Sequence, residues 1–274
     1  MIRIKFTEPD TEIWKAWRKR CDEATRLLIE MVNNGQVPII TDLYKDKKIK
    51  AEYYLNKNEY FHGKCAYCEA YIVDFHNGDI DHFRPKGRVT DENDTIVMVE
   101  GADGNDIPHP GYYWLAYDWH NLLLTCNDCN RPKKNSGLKT GKRARFPVAG
   151  IHATTPEEIE DEEPLLINPL IDDPKEHLKV NFENGELIGL TLKGAMTIRV
   201  FGLNIRDRLP QERYDAAMTA RSNLVSIAYE DDKAKIDKAI NELEDIMNGK
   251  TDFSFAARSK IEQSRPNIRR VIDL

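Results

Sequence analysis

Apolar side chains recur at three- and four-residue steps through Ile13, Trp14, Trp17, Cys21, Ala24, Leu27, Leu28, Met31 and Val32, which predicts an amphipathic helix over 11–34. Asp10 or Thr11 is placed to cap its start, and Asn34-Gly35 supplies a left-handed stop. A weaker helical pattern follows over 42–60, through Leu43, Ile49, Tyr53, Tyr54 and Leu55. The pattern then shortens. Tyr71 to Phe75 reads as a short strand, His76-Asn77-Gly78 as a turn, and Asp79 to Phe83 as a second strand ending at Arg84-Pro85-Lys86. Residues 88–111 are rich in Asp, Gly, Asn and Pro without a stable period, and read as a long loop.

The run Tyr112 to Tyr117 is aromatic and apolar, and is expected to lie in the core. Leu122 to Thr125 is expected to form a buried strand or short helix, and a short helix is expected from Asn130 onward, because Pro132 is tolerated in a first turn. After Gly150 the character changes again. Val180 to Ile188 reads as a hairpin turning at Asn184-Gly185. From about Gly194 the chain is helical, with the strongest periods at 206–229 and 231–248. Ile236, Ala239, Ile240, Leu243 and Met247 share one face of the latter, and Gly249 lies just past its end.

Charge modifies this picture locally more than globally. The 274 residues carry a formal charge of −6, which argues against coating nucleic acid by charge alone. From Arg131 to Arg145, however, there are seven basic residues and no acid, whereas six of the seven residues from Glu157 to Glu163 are acidic. The acidic run is expected to be a solvated loop, and the basic run to face phosphate. No apolar run reaches membrane-span length, and the first residues have no apolar signal segment, so a cytoplasmic protein is expected. Gly137 to Arg143 superficially resembles a phosphate loop, but it is one residue short and has Arg where Ser or Thr would bind magnesium.

Four of the five cysteines form two Cys-x-x-Cys pairs, Cys65/Cys68 and Cys126/Cys129. Thiols two residues apart reach one tetrahedral ion, and two such pairs complete a four-thiolate structural zinc site with no position left for water. A redox role is disfavoured, since neither pair has a βαβ context. The leftover Cys21 is expected to be a small buried hydrophobe. Between the pairs lie Asp79, Asp81 and His82, and Asn130 directly follows Cys129. Phosphodiester cleavage requires a base to activate water and a cation to neutralise charge; a histidine suits the first task, and carboxylate and amide oxygens suit magnesium or manganese. A lone histidine is more often an ordinary core or surface residue, but His82 alone of the seven has these neighbours.

The order Cys-x-x-Cys, Asp81-His82-Phe-Arg-Pro, His120-Asn121-Leu, Cys-x-x-Cys-Asn130-Arg-Pro-Lys resembles an HNH endonuclease with a ββα-metal core. Tyr112 to Tyr117, Phe146-Pro147, Glu163 to Pro169 and Leu203 to Leu209 further resemble the PtuB-type HNH proteins of bacterial anti-phage systems of the Septu and some retron kinds. The resemblance covers about residues 60–210. It implies His82 as general base, Asp81 and Asn130 as ligands of a catalytic magnesium or manganese ion, and Asn121 as the residue fixing the loop that orients His82. The last motif position, often His in relatives, is Asn here. It also implies an ATPase partner of the PtuA type, docked on the helical C-terminal or N-terminal regions.

The expected fold is therefore α+β and mainly helical. It comprises an N-terminal helical region (1–60), an HNH nuclease core with its zinc site (61–150), and a C-terminal region of hairpin and helices (151–274). Arg84, Lys86, Arg131, Lys133 and Lys134 are the candidates for phosphate contacts. The expected activity is metal-dependent cleavage of nucleic acid, most naturally DNA. An RNA- or tRNA-cleaving effector, and a non-catalytic zinc module that binds nucleic acid or protein, are the alternatives.

Overall fold

A computed structural model of the chain describes residues 1–72, 78–101, 103–135, 137–206 and 208–264. The expected strand and turn over 71–78 fall largely outside these residues. Helix α1 (Glu12–Asn33) begins where Thr11 Oγ1 accepts the Trp14 amide at 3.3 Å. Its buried stripe is narrower than the periodicity suggests: Trp14, Trp17, Cys21 and Leu28 are buried, whereas Ile13 and Leu27 face solvent. The Trp17 indole donates to Leu43 O at 3.0 Å, and Tyr117 Oη accepts the Thr41 amide at 2.7 Å. These bonds hold the following segment, in which a 3-10 turn at Asp42–Lys45 leads into α2 (Lys47–Ile49) and a π turn ending at Tyr54. The expected 42–60 helix is thus broken into short turns. Asp46 interrupts it by capping α2 with its own carboxylate.

The centre of the molecule is an antiparallel pair, β1 (Asp79–His82) with β4 (Leu122–Thr125), in which Asp81 lies opposite Leu123 and His82 opposite Leu122. Every residue of β4 is buried, so the pair is fixed by apolar packing on both faces. Between these strands lies the expected loop, which carries a small hairpin of β2 (Met98–Glu100) and β3 (Asp106–Pro108). The aromatic run after it is core: Tyr112, Tyr113, Trp114 and Tyr117 are buried.

Directly after β4 comes the one-turn helix α3 (Asn127–Asn130), which ends at Asn130 instead of starting there. Cys126, in extended backbone, leads into the turn. Pro132 then stands in the extended lead into a hairpin of β5 (Lys133–Asn135) and β6 (Leu138–Thr140). The chain returns against α3 through Lys142 N to Cys129 O at 2.7 Å and Arg143 N to Asn130 O at 2.8 Å. Only glycine fits at 141, where φ is +87° and a Cβ would lie 1.9 Å from Arg131 O.

Short strands β7 (Val148–Ala149) and β8 (Glu163–Pro164) pair across the acidic segment. Then α4 (Pro174–His177) leads into the hairpin β9 (Leu178–Val180) and β10 (Leu187–Gly189). The helices α5 (Leu192–Phe201), α6 (Leu209–Tyr229), α7 (Lys233–Met247) and α8 (Ser254–Ser264) follow. One core draws buried residues from Met1 to Ala256, across all three expected regions. A smaller one lies between α6, α7 and α8 and includes Leu224, Leu243 and Ile261. On the expected face of α7, Ala239 and Leu243 are buried, joined by Ile246, while Ile236, Ile240 and Met247 lie at the edge. No helix among the described residues is long and apolar enough to cross a membrane.

Candidate metal centre and adjoining cavity

The thiol pairs converge. Sγ atoms of Cys65, Cys68, Cys126 and Cys129 all lie within 4.8 Å of one another, and Cys68 and Cys126 are 3.7 Å apart. A tetrahedral zinc with ~2.3 Å bonds to sulfur requires sulfur atoms about 3.8 Å apart, so the four thiols fit such an ion. Local backbone sets each pair. Glu69 adopts φ +66°, and its amide donates to Cys65 O at 3.0 Å. In α3, the Cys129 amide donates to Cys126 O at 3.1 Å. The Ala66 amide donates to Leu124 O at 2.9 Å, which ties the first pair to β4. Hydrogen bonds from Cys129, Cys65 and Cys68 hold the Cys126 thiol far below its ordinary pKa, while burial pushes Cys65 and Cys129 up.

Sequence reasoning missed Arg206. Its guanidinium donates to Cys129 Sγ at 3.1 Å and Cys126 Sγ at 3.7 Å, with Cys68 Sγ at 4.0 Å and Asp128 Oδ2 at 3.6 Å. Four thiolates around a divalent ion leave two negative charges, and a planar, permanently charged fork is suited to balance them. The resemblance over 203–209 contained this residue, but only the fold brings it to the thiols.

Beside the thiols, β1 opens onto a cavity of about 1030 Å³. Asp79, Asp81, His82 and Asn130 border it, with Lys45, Lys47 and Lys50 on one side, Lys86 and Arg88 on another, and Arg131 and Arg143 on a third. The N-terminal turns therefore form one wall, anchored where Lys50 Nζ donates to Gly78 O at 2.6 Å. The cluster of lysines between Lys45 and Lys50 was the visible signal for this wall, but it read as part of a helical lead-in.

His82 is buried. Its Nε2 lies 2.9 Å from Ala116 O, and a carbonyl only accepts, so Nε2 carries the proton and Nδ1 the lone pair. Burial, then the charge of Lys86, lowers its pKa to about 3, which keeps the ring neutral. The Tyr44 ring meets it edge-on at 4.6 Å, and Lys86 Nζ sits 4.4 Å from the same Tyr44 ring. Asp81 is also buried. Its carboxylate accepts Tyr67 Oη at 3.0 Å and Lys142 Nζ at 3.3 Å. Lys142 is fully buried and donates as well to His82 O at 2.5 Å. Burial raises the pKa of Asp81 and lowers that of Lys142, each opposed by the other's charge. The basic run had been expected to face phosphate; Lys142 faces inward.

Asn130 meets Asp79 rather than Asp81. Its Nδ2 donates to Asp79 Oδ2 at 2.9 Å, and Arg131 grips the same carboxylate with Nε and Nη2, both at 2.9 Å. Burial works against ionisation of Asp79, but these donors hold its pKa below the ordinary value. Asn121 braces the turn after His82. Its Oδ1 accepts the Arg84 amide at 2.7 Å, and Nδ2 donates to Arg84 O at 3.0 Å and Leu115 O at 3.1 Å.

Of the five expected phosphate contacts, Lys86 and Arg131 border the cavity. Arg84 does not: its Nε donates to Glu162 at 2.7 Å in a buried pair. Glu162 also accepts Tyr112 Oη at 2.5 Å and the Ala153 amide at 2.9 Å, so one residue of the supposedly solvated acidic run is a core anchor. Lys133 and Lys134 lie on β5, outside the cavity lining, and Lys133 pairs with Asp128 at 2.9 Å.

The chain is similar to Septu protein PtuB of Bacillus mycoides (strain KBAB4), 36% identical over 194 residues, which are 68% of this chain and 56% of that protein. It is 31% identical over 155 residues to Septu protein PtuB of Bacillus thuringiensis, covering 57% of this chain and 42% of that protein. It is also 32% identical over 149 residues to Septu protein PtuA of Bacillus mycoides (strain KBAB4), 53% of this chain but 18% of that much longer protein. The chain thus spans about half the length of the PtuB relatives it matches. No protein-family model and no solved structure matches it.

Proposed function

Since the chain belongs to the PtuB-like family of Septu proteins, we propose that it is a metal-dependent HNH endonuclease of an anti-phage system, cleaving nucleic-acid phosphodiester bonds in the cavity at β1. The observation that carries this reading is a neutral, buried His82 beside Asp81 on the rim of a cavity walled by seven basic side chains. The succession of β1, β4 and α3, with thiols at its base, suits a ββα-metal core.

In this reading Nδ1 of His82 takes a proton from water, with Nε2 kept in place by Ala116 O. The free site's pKa of about 3 makes His82 a weak base, because burial and Lys86 disfavour its charged form. A bound phosphodiester brings negative charge against Lys86 and beside the imidazole, which raises the basicity when substrate is in place. Asp79, Asp81 and Asn130 border the cavity and carry hard oxygen donors, the ligand chemistry that suits magnesium or manganese. Such an ion, when bound, supplies positive charge to the leaving oxygen. Lys142 orients Asp81, Asn121 braces the backbone carrying His82, and the basic walls hold the flanking phosphates. The structural zinc site takes no part in the chemistry.

The PtuA match supports a partner of the PtuA type, since a segment resembling this chain occurs inside a much longer PtuA protein; that this partner is an ATPase is part of the proposal. The test of the activity is cleavage of supercoiled plasmid and of labelled RNA by the purified chain with its partner, in magnesium or manganese. His82→Ala is expected to abolish cleavage while zinc content stays that of the wild type and the chain still unfolds cooperatively, at a somewhat lower temperature. Full cleavage by that variant, or none by the wild type on either substrate, refutes the assignment and favours a non-catalytic zinc module.

A further inference from the structure

A second, smaller cavity of about 250 Å³ opens beside the first, bordered by Arg88, Thr90, Asp94, Lys139, Arg143 and Ala144. Arg88, Arg143 and Ala144 line both cavities, so the two adjoin. We propose that this smaller cavity is a second phosphate subsite, holding the substrate backbone to one side of the bond cut at His82. The inference rests on the nuclease reading and adds the place where a neighbouring phosphate is held.

Two independent features point to an anion. The first is charge. Arg88, Lys139 and Arg143 border the space, and Arg88 and Arg143 have no carboxylate partner among the described residues. The one acid present, Asp94, is already engaged, with Lys139 Nζ at 3.4 Å and Arg145 Nε at 3.1 Å. Three bordering cations against one carboxylate leave an excess of two positive charges in a confined space, where they are screened less than on an open surface. The second is unmet hydrogen bonding. Thr90, only 4% exposed, borders the cavity and its hydroxyl has no hydrogen-bond partner among the described residues, and Arg145, 3% exposed and set behind the lining against Asp94, leaves Nη2 without one. Buried polar groups are nearly always paired, and an unpaired set beside a cationic cavity calls for an acceptor-rich ligand. A phosphodiester supplies acceptor oxygens and negative charge together. The volume equals that of roughly eight waters, ample for a phosphate with its sugar flanks. This gives the loop over 88–111 a role: Arg88, Thr90 and Asp94 all stand on it.

The test is equilibrium binding of a fluorescein-labelled 20-base-pair DNA duplex, and of a matched RNA, over a salt series without added magnesium or manganese. The zinc stays in place, and thermal unfolding is recorded for each variant. Lys139→Gln, which borders only the smaller cavity, is expected to lower the slope of log K against log salt by about one unit, and Thr90→Val to weaken binding several-fold. Asp94→Asn removes the competing carboxylate and is expected to strengthen binding several-fold, a gain no loss of folding imitates. In cleavage assays Lys139→Gln is expected to raise KM with kcat within two-fold of the wild type. Lys233→Gln, at an exposed position of α7, serves as the reference. Wild-type affinity and salt slope in both Lys139→Gln and Asp94→Asn overturn the subsite while leaving the nuclease reading intact. Altered binding in these variants, with a wild type that binds and never cuts, supports the subsite and refutes the nuclease reading instead.

Discussion

Replacing Lys142 by Met isolates the least expected feature of the site. Lys142 and Asp81 form a buried ion pair, 61 residues apart in sequence, with Tyr67 Oη as the only other donor to that carboxylate among the described residues. Removing one partner of a buried pair leaves the other charge desolvated, which costs about 3–5 kcal/mol. The Lys142 bond to His82 O is lost as well. The pH dependence follows from Asp81. Burial already raises its pKa, Lys142 opposes that rise, and without Lys142 it climbs further. A carboxyl with a folded pKa above its unfolded value contributes stability below the unfolded pKa of about 3.9, and loses it as pH rises through the folded value. The penalty of Lys142→Met is therefore largest well above the folded pKa of Asp81 and shrinks as pH falls through it and Asp81 takes up its proton. Adding Asp81→Asn removes the stranded charge, so the double variant is expected to be more stable than Lys142→Met alone, with a coupling of about 2–4 kcal/mol. Urea unfolding followed by tryptophan fluorescence serves as the assay, since Trp14, Trp17, Trp114 and Trp119 are all buried. A Lys142→Met penalty below about 1 kcal/mol, or a double variant no more stable than the single, refutes the argument.

Three further outcomes are expected. Arg206→Leu withdraws the cation beside the thiols, and should weaken zinc retention about 10- to 100-fold in a competitive chelator titration, with Arg206→Lys intermediate. Asn121→Ala removes three hydrogen bonds around Arg84 and leaves their backbone partners buried and unpaired, an expected loss of about 3 kcal/mol in urea unfolding, with cleavage falling along with the order of the His82 turn. The acid limb of stability belongs in part to His82. Its folded pKa of about 3 lies below the unfolded value near 6.5, so its contribution is complete above about pH 6.5 and is lost as pH falls toward 3. At pH 5 that loss is about 2 kcal/mol, and a His82→Gln variant should lack that portion of the pH dependence.

The thiol pairs, α1, the β1 strand and the C-terminal helices were legible because each is encoded within a few turns of chain: two-residue thiol spacing, a helical period, a cap, an Asn-Gly turn. Asp81 and His82 stood out for the same reason, as neighbours inside the thiol bracket. The basic residues were harder to assign. Charge says that a side chain seeks a partner, but not whether the partner is phosphate, carboxylate or water. Arg84 found Glu162, Lys142 found Asp81, and Lys133 found Asp128, while the lysines of the N-terminal turns, read as lead-in, came to wall the cavity.

Local pattern thus sufficed to identify the thiols that could hold a metal and the candidate catalytic pair, since both depend on residues close together in sequence. Tertiary packing alone decided which cations remained available to a substrate. The Arg84–Glu162 and Lys142–Asp81 pairings span tens of residues and depend on which buried carboxylates the fold brings within reach. Arg206 is the clearest instance: nothing near it in sequence ligates metal, yet the approach to α6 delivers it to Cys129, 77 residues away.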